Sequence, residues 1–329
     1  MSMNKSVLVT GATGFIGSHL TEILVQKGYE VIAFDRYNPN NDWGWLENSD
    51  YKSGFKVVLG DIRDYDSVYK AMEGCSSVMH LAALIGIPYS YLSPLAYIRT
   101  NVEGTYNILE SAKKYDLDEI IITSTSETYG TAQYAPIDEK HPLVGQSPYS
   151  ATKISADQLA ISYYRSFNSP IKIVRPFNTY GPRQSARAVI PTIITQLIND
   201  PKELKLGNIS PTRDLTHVHD TSNGFIEILK SDKLYGEVTN IGMNQEISIA
   251  ELIQLISKIM NVEYQINSSK NRIRPDNSEV ERLLCDNSKL LKHTSWEPRF
   301  DIKSGIKNVI EWISIPENLA KYKHNSYNV

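Results

Sequence analysis

Gly11-Ala12-Thr13-Gly14-Phe15-Ile16-Gly17 stands between the apolar triplet Val7-Leu8-Val9 and a run of helical spacing that continues to Lys27. Three glycines at a strand-to-helix junction allow a tight turn, close approach of backbone to a pyrophosphate, and close packing of helix on strand. The helix start also offers its free N–H groups to the anion. The second β-rich run ends at Asp35, 18 residues after Gly17. A carboxylate there accepts from ribose hydroxyls and repels a 2′-phosphate, which selects NAD over NADP, although the neighbouring Arg36 guanidinium could hold such a phosphate.

Outward from this turn, β-rich runs at 6–10, 30–34, 56–59, 77–81 and 119–123 alternate with helical patterns at 15–27, 65–72 and 95–114. Near-continuous Val, Ile and Leu strands separated by helices predict an α/β fold, a Rossmann-type doubly wound parallel sheet covered on both faces. The pattern persists through the helix bearing Lys153 and a strand at 171–174, so an NAD-binding domain is expected over residues 1–176. Residues 177–329 read as a smaller C-terminal α/β substrate-binding lobe, with helices at 189–198, 249–260 and 302–313, a strand at 238–241, and a segment at about 216–243 packing back on the first domain.

Composition narrows the class. A chain of 329 residues can bury one large core and a smaller second one. A hydrophobic fraction of 41%, a charged fraction of 22% and a net charge of −3 suit a globular protein and give no field for polyanions, so nucleic acid is not an expected partner. Two cysteines, Cys75 and Cys285, cannot build a disulfide framework and fit a reducing compartment. No apolar stretch suggests a signal peptide or membrane span, so the expected location is the cytoplasm, with no membrane partner; no metal is expected either.

The chemistry sits in two further stretches. In Tyr149-Ser150-Ala151-Thr152-Lys153 a phenol and an ammonium lie at i and i+4 on one helix face, where the Lys charge favours the phenolate and lowers the Tyr pKa. In Thr123-Ser124-Thr125-Ser126-Glu127-Thr128-Tyr129-Gly130 hydroxyls and a carboxylate follow a strand. A phenolate beside a nicotinamide can oxidise an alcohol. Glu127 adds a base that simple alcohol oxidation does not need.

The Gly-x-x-Gly-x-x-Gly spacing together with Tyr-x-x-x-Lys resembles the extended short-chain dehydrogenase/reductase superfamily over nearly the whole chain. That resemblance implies cofactor contacts at Gly11, Thr13, Gly14, Phe15, Ile16, Gly17, Asp35, Arg36, Asp61, Ile62, Leu81, Ala82, Ala83, Asn101, Thr123, Tyr149, Lys153 and Pro176. It assigns Thr125 to gripping the 4-hydroxyl of a sugar with Tyr149 while hydride leaves C4. Thr125-Ser126-Glu127 resembles the catalytic triplet of GDP-mannose 4,6-dehydratases, in which the carboxylate removes the C5 proton and the 6-hydroxyl is lost. Ser126 stands where dTDP-glucose 4,6-dehydratases carry an Asp as acid for the leaving hydroxyl, which leaves Glu127 as first choice for that proton.

A narrower likeness lies in Asn41-Asp42-Trp43-Gly44-Trp45-Leu46-Glu47, in residues 81–90 and 175–187, and in Ser210-Pro211-Thr212-Arg213-Asp214. These resemble NAD-dependent 4,6-dehydratases of bacterial legionaminic acid biosynthesis, which act on nucleotide-activated N-acetylglucosamine; GDP is favoured over UDP as the carrier. The likeness implies substrate contacts at Ile85, Pro88, Tyr89, Asn178, Arg187, Val189, Arg213, Arg274 and Glu279, with guanidinium groups on the diphosphate. Superfamily relatives form homodimers, and some form tetramers. A UDP-glucuronate decarboxylase, whose family also shows Thr-Ser-Glu, and a sugar-nucleotide 4-epimerase are the alternative enzymes. Trp43 and Trp45 are left open between stacking on a base or adenine, packing under the lobe, and a subunit contact.

Overall fold

In the computed structural model, which describes residues 6–200, 203–268 and 280–322, strand β1 (Ser6–Thr10) is buried along its whole length. Its Val and Leu side chains alternate between two helical layers, which is why the run shows no polar face. After β1 come α1 (Phe15–Gln26), β2 (Glu30–Arg36), β3 (Phe55–Gly60), α2 (Tyr65–Ala71) and β4 (Ser77–His80). Short helices α3 (Ile87–Leu92) and α4 (Pro94–Tyr97) lead to α5 (Gly104–Tyr115), then β5 (Glu119–Thr123), α6 (Pro148–Phe167) and β6 (Ile171–Pro176).

The helix expected over 95–114 is present but carries a bulge. Residues Ile98–Glu103 form a π-turn between α4 and α5. At that turn the Asn101 side chain reaches across to the backbone of Leu84, accepting its N–H at 2.9 Å and donating to its carbonyl at 3.0 Å. A tertiary hydrogen bond, not local propensity, sets the bulge.

The second half continues with β7 (Asn178–Tyr180), α7 (Val189–Asn199), β8 (Leu204–Leu206), β9 (Thr212–His217), α8 (Val218–Lys230) and β10 (Val238–Ile241). It closes with β11 (Glu246–Ser248), α9 (Ile249–Met260), β12 (Ile266–Ser268), α10 (Ser288–His293) and α11 (Ile302–Ile313). The main sheet runs β10-β6-β5-β4-β1-β2-β3, every pairing parallel. The strand order reverses between β1 and β4, and the crevice beyond their carboxyl ends is where such sheets bind ligands.

One face of the sheet packs on α1 and α8 through Leu20, Leu24, Phe225 and Ile228, the other on α2, α5 and α6 through Val68, Ile108, Leu109 and Ala160. A third core joins α7, α9 and α11 through Ile193, Leu252, Ile253 and Ile306. Two small sheets, β11-β9-β7 and β12-β8, edge that lobe. Of the two open indoles, Trp45 packs edge-on against Trp312 of α11, centroids 5.4 Å apart, and carries Lys321 over its ring; Trp43 leans on the α1 core.

Asp220, fully buried in the first turn of α8, ties the segment after α10 to the large sheet's helical layer. Its carboxylate accepts the backbone N–H groups of Arg299 and Phe300 at 2.9 and 3.0 Å, and its carbonyl accepts the Trp296 indole N–H at 2.8 Å. Asp220→Ala leaves two backbone donors without partners, so stability should fall by on the order of 3 kcal/mol. A lower urea midpoint at unchanged slope checks it; an unmoved midpoint rejects the tie.

Candidate active site

The glycine turn is held from three sides. Gly11 adopts φ +70°, and a Cβ there would lie 2.9 Å from the backbone N of Ala82, so only glycine lets the turn meet the end of β4. A Cβ on Gly17 would run into the Gly11 carbonyl. Thr13 donates its backbone N–H and its hydroxyl to one oxygen of Asp35, at 2.8 and 2.6 Å, and Arg36 donates its N–H to the other at 2.7 Å. The carboxylate at the end of β2 is thereby fixed in register with the turn. Thr13 also accepts the Trp45 N–H at 3.1 Å through its carbonyl.

Beside the turn lies a hollow of about 410 Å³ lined by Asp35, Arg36, Asp61, Ile62, Ala82 and Ala83, with Tyr89 at one side. Arg63, which sequence reasoning missed, also lines it and grips Asp61 with Nε and Nη2 at 2.5 to 3.0 Å, holding that carboxyl below its usual range. The local Asp-x-Arg spacing was the available signal. Leu81 and Ala82 donate their N–H groups to the Thr10 hydroxyl at 3.2 and 3.1 Å, and Thr10 bonds His80 Nδ1 at 2.8 Å.

Helix α6 brings the reactive pair. Ser147 caps it with a reciprocal bond to Ser150, and Pro148 occupies the first turn, so the helix starts sharply just before Tyr149. Tyr149 is 7% exposed and Lys153 is 4% exposed. The Thr125 hydroxyl lies close enough to the phenol to favour its ionised form. Thr125 caps the 3-10 turn Ser126–Tyr129, accepting the Glu127 N–H at 3.3 Å, and Ser126 is buried within the turn. Glu127 sits close enough for its charge to act on Tyr149.

One expectation fails here. Instead of lying below its ordinary value, the Tyr149 pKa is pushed well up, first by burial and then by the charges of Glu127 and its neighbours; the Thr125 hydroxyl works the other way. Lys153 donates to the Thr123 carbonyl at 2.5 Å, and burial lowers its own pKa while Asp157 opposes that. The i, i+4 spacing puts both groups on one face, but desolvation outweighs the ammonium's pull on the phenol.

A cleft of about 450 Å³ is lined by Ile85, Pro88, Asn178, Arg187, Val189 and Arg213. Tyr89, read as a substrate contact, lies instead on the dinucleotide side and packs against Tyr97. Arg274 and Glu279 lie outside the described residues. The Asn178 side-chain oxygen is buried with no donor among the described residues, and Arg213 donates to the Thr212 carbonyl at 2.8 Å. Tyr97, read only as part of a helix, sets its ring edge-on to Tyr149 with centroids 6.3 Å apart and donates to the Gly86 carbonyl at 2.5 Å. Pro176 ends β6, and Phe15 and Ile16 open α1.

The profile of the GDP-mannose 4,6-dehydratase family matches residues 8–309. A putative UDP-glucose 4-epimerase of Methanocaldococcus jannaschii is 33% identical, over 93% of this chain and 98% of its own. The human dTDP-D-glucose 4,6-dehydratase is 32% identical over 97% of this chain and 92% of its own. The structure of a dTDP-glucose 4,6-dehydratase from Streptomyces venezuelae, solved with NAD bound, superposes with a TM-score of 0.86 at 26% identity, covering 97% of this chain and 99% of that one.

The residues here fit NAD: a cradle that any Cβ would fill, a helix start facing it, and a fixed carboxylate at the ribose position. Gly17→Ala should therefore lower the rise in melting temperature produced by saturating NAD by more than half, because the methyl displaces the Gly11 carbonyl. A differential scanning measurement with and without NAD decides it, and an undiminished rise refutes the cradle.

Proposed function

This chain belongs to the GDP-mannose 4,6-dehydratase family, NAD-dependent nucleotide-sugar 4,6-dehydratases and 4-epimerases of the extended short-chain dehydrogenase/reductase superfamily, and on that premise we propose that it is a 4,6-dehydratase. Its substrate in this reading is GDP- or UDP-linked N-acetylglucosamine, with GDP favoured, and its product the 4-keto-6-deoxy sugar nucleotide of a legionaminic acid pathway. The observation that carries the reading is a carboxylate, Glu127, on the turn capped by Thr125, within range for its charge to act on the buried Tyr149 phenol. A 4-epimerase needs only one proton-transfer group at C4. An elimination across C5–C6 needs a second.

Tyr149, steadied by Thr125, takes the proton of the 4-hydroxyl, and Lys153 supplies the charge that offsets the cost of a buried phenolate. The turn from Gly11 to Gly17 and the Asp35 carboxylate would hold NAD, which would supply the hydride acceptor for C4 and the hydride donor for C6 with no net redox change. The new 4-ketone acidifies the C5 hydrogen; Glu127 removes that proton and passes it to the departing 6-hydroxyl, which leaves as water, and as hydride is added at C6 a proton returns to C5, balancing the one that Tyr149 took from the 4-hydroxyl. Asn178, Arg187 and Arg213 hold the diphosphate, while Ile85, Pro88 and Val189 shape the sugar end of the cleft. A division into lobes near Pro176 and assembly as a homodimer or tetramer belong to the same proposal.

Incubation with GDP- and UDP-N-acetylglucosamine should yield a product lighter by one water with no accumulated NADH. An isomer of unchanged mass with inverted C4 would instead make the protein a 4-epimerase, and carbon dioxide from UDP-glucuronate a decarboxylase. Glu127→Gln should reduce bound NAD yet slow dehydration about 10²- to 10⁴-fold, whereas Tyr149→Phe should show no NADH absorbance. Full dehydration by Glu127→Gln would overturn the assignment.

A further inference from the structure

Behind the reactive pair lies a group that the reaction above does not use. Arg175, on β6, is 1% exposed, and Asp157, on α6 one turn beyond Lys153, is fully buried. Arg175 donates Nη2 to Asp157 at 2.6 Å and Nε to the Ser124 hydroxyl at 3.1 Å, and Ser124 in turn donates to the same Asp157 oxygen at 2.6 Å. The guanidinium also lies 4.6 Å over the ring of Tyr129, whose hydroxyl donates to Asn240 of β10 at 2.8 Å.

These contacts touch each segment that bears a reactive group. Asp157 shares its helix with Tyr149 and Lys153. Ser124 lies between Thr123, whose carbonyl holds Lys153, and Thr125. Tyr129 ends the turn that carries Glu127. A buried ion pair adds little stability over an apolar pair of the same shape, because desolvation cancels most of the attraction. Its place at the meeting point of three reactive segments gives it another use.

We propose that Asp157 and Arg175 are positioning residues of this site: Arg175 clamps the three segments together, and the Asp157 carboxylate stands as the buried counter-charge one helical turn from Lys153 on the same face of α6. The inference rests on the reading of Tyr149 and Lys153 as the proton-transfer pair. The charged and titratable groups packed around that pair are Asp157 on the same helix, Glu127 after β5, Tyr97 from α4, Arg175 from β6, and His80 at the end of β4, which burial pushes down to about 3 and so keeps neutral. Among the described residues no group donates to Asp157 Oδ1, so Arg175 and Ser124 engage one carboxylate oxygen and leave the other.

The sign follows. A carboxylate nearby stabilises the Lys153 ammonium and opposes the Tyr149 phenolate, which raises both pKa values. Removing it lowers both, and the two limbs of the activity profile move together toward acid. Turnover of UDP- and GDP-N-acetylglucosamine should be followed against pH for the wild type, Asp157→Asn and Asp157→Glu. Asp157→Asn should shift both limbs acidward by about one unit, with KM changed less than about twofold, and Asp157→Glu should restore the wild-type profile. If Asp157→Asn does not fold, Asp157→Ser, which also removes the carboxylate and leaves room for water beside the Ser124 hydroxyl and the Arg175 guanidinium, should give the same shift. A variant that melts earlier but keeps the wild-type profile overturns the inference alone. A wild type silent on both substrates overturns the reading on which it rests, and the inference with it.

Discussion

The 2.5 Å hydrogen bond from the buried Lys153 ammonium to the Thr123 carbonyl fixes helix α6 against the end of β5, and the arrangement of the site follows from it. Tyr149 is one turn earlier on that helix and Thr125 two residues further along that chain end, so holding Lys153 to Thr123 also sets phenol against hydroxyl. An ammonium out of water costs several kcal/mol unless its protons find acceptors. The Thr123 carbonyl and the charge of Asp157 are what compensate it.

The parallel sheet supplies the frame on which this bond can form. β5 and β6 lie side by side with Thr123 opposite Val174, and α6 crosses between them, so residues far apart in sequence meet at one carboxyl edge. The same edge, one strand on, carries Ala82 against Gly11. The glycine turn and the Tyr149–Lys153 pair are therefore positioned by a single register, and a slip in any strand between β1 and β6 would separate them.

Much of this was legible because it is local. The Gly11 to Gly17 spacing, the Asp35 position and the i, i+4 placement of Tyr149 and Lys153 each depend on one turn or one helix face, and β1, β5 and β10 begin and end where their apolar runs do. What escaped depends on contacts across the chain. The π-turn comes from Asn101 reaching Leu84, the edge-on support of Tyr149 from Tyr97, and the Asp157–Arg175 clamp from two elements joined only by the sheet. Three-residue strands such as β7, β8 and β11 are too short to show a period, and their pairing is set by partners 30 or more residues away. The direction of the Tyr149 shift was misjudged for a related reason: spacing reveals a neighbouring charge but not the depth of burial.

That misjudgement bears on how an elimination site differs from a simpler oxidation site. Setting Glu127 near Tyr149 places a negative charge beside the group that must itself become an anion, and each unit by which the phenol's pKa rises makes the phenolate harder to form by about 1.4 kcal/mol. An enzyme that only exchanges hydride at C4 has no reason to accept that repulsion. One that must also take a proton from C5 has to accept it, and must offset it with cations and hydrogen-bond donors that do not themselves react. Thr125 at the phenol and the Lys153 ammonium on the same helix face constitute such an offset, built from the β5 end and a single face of α6.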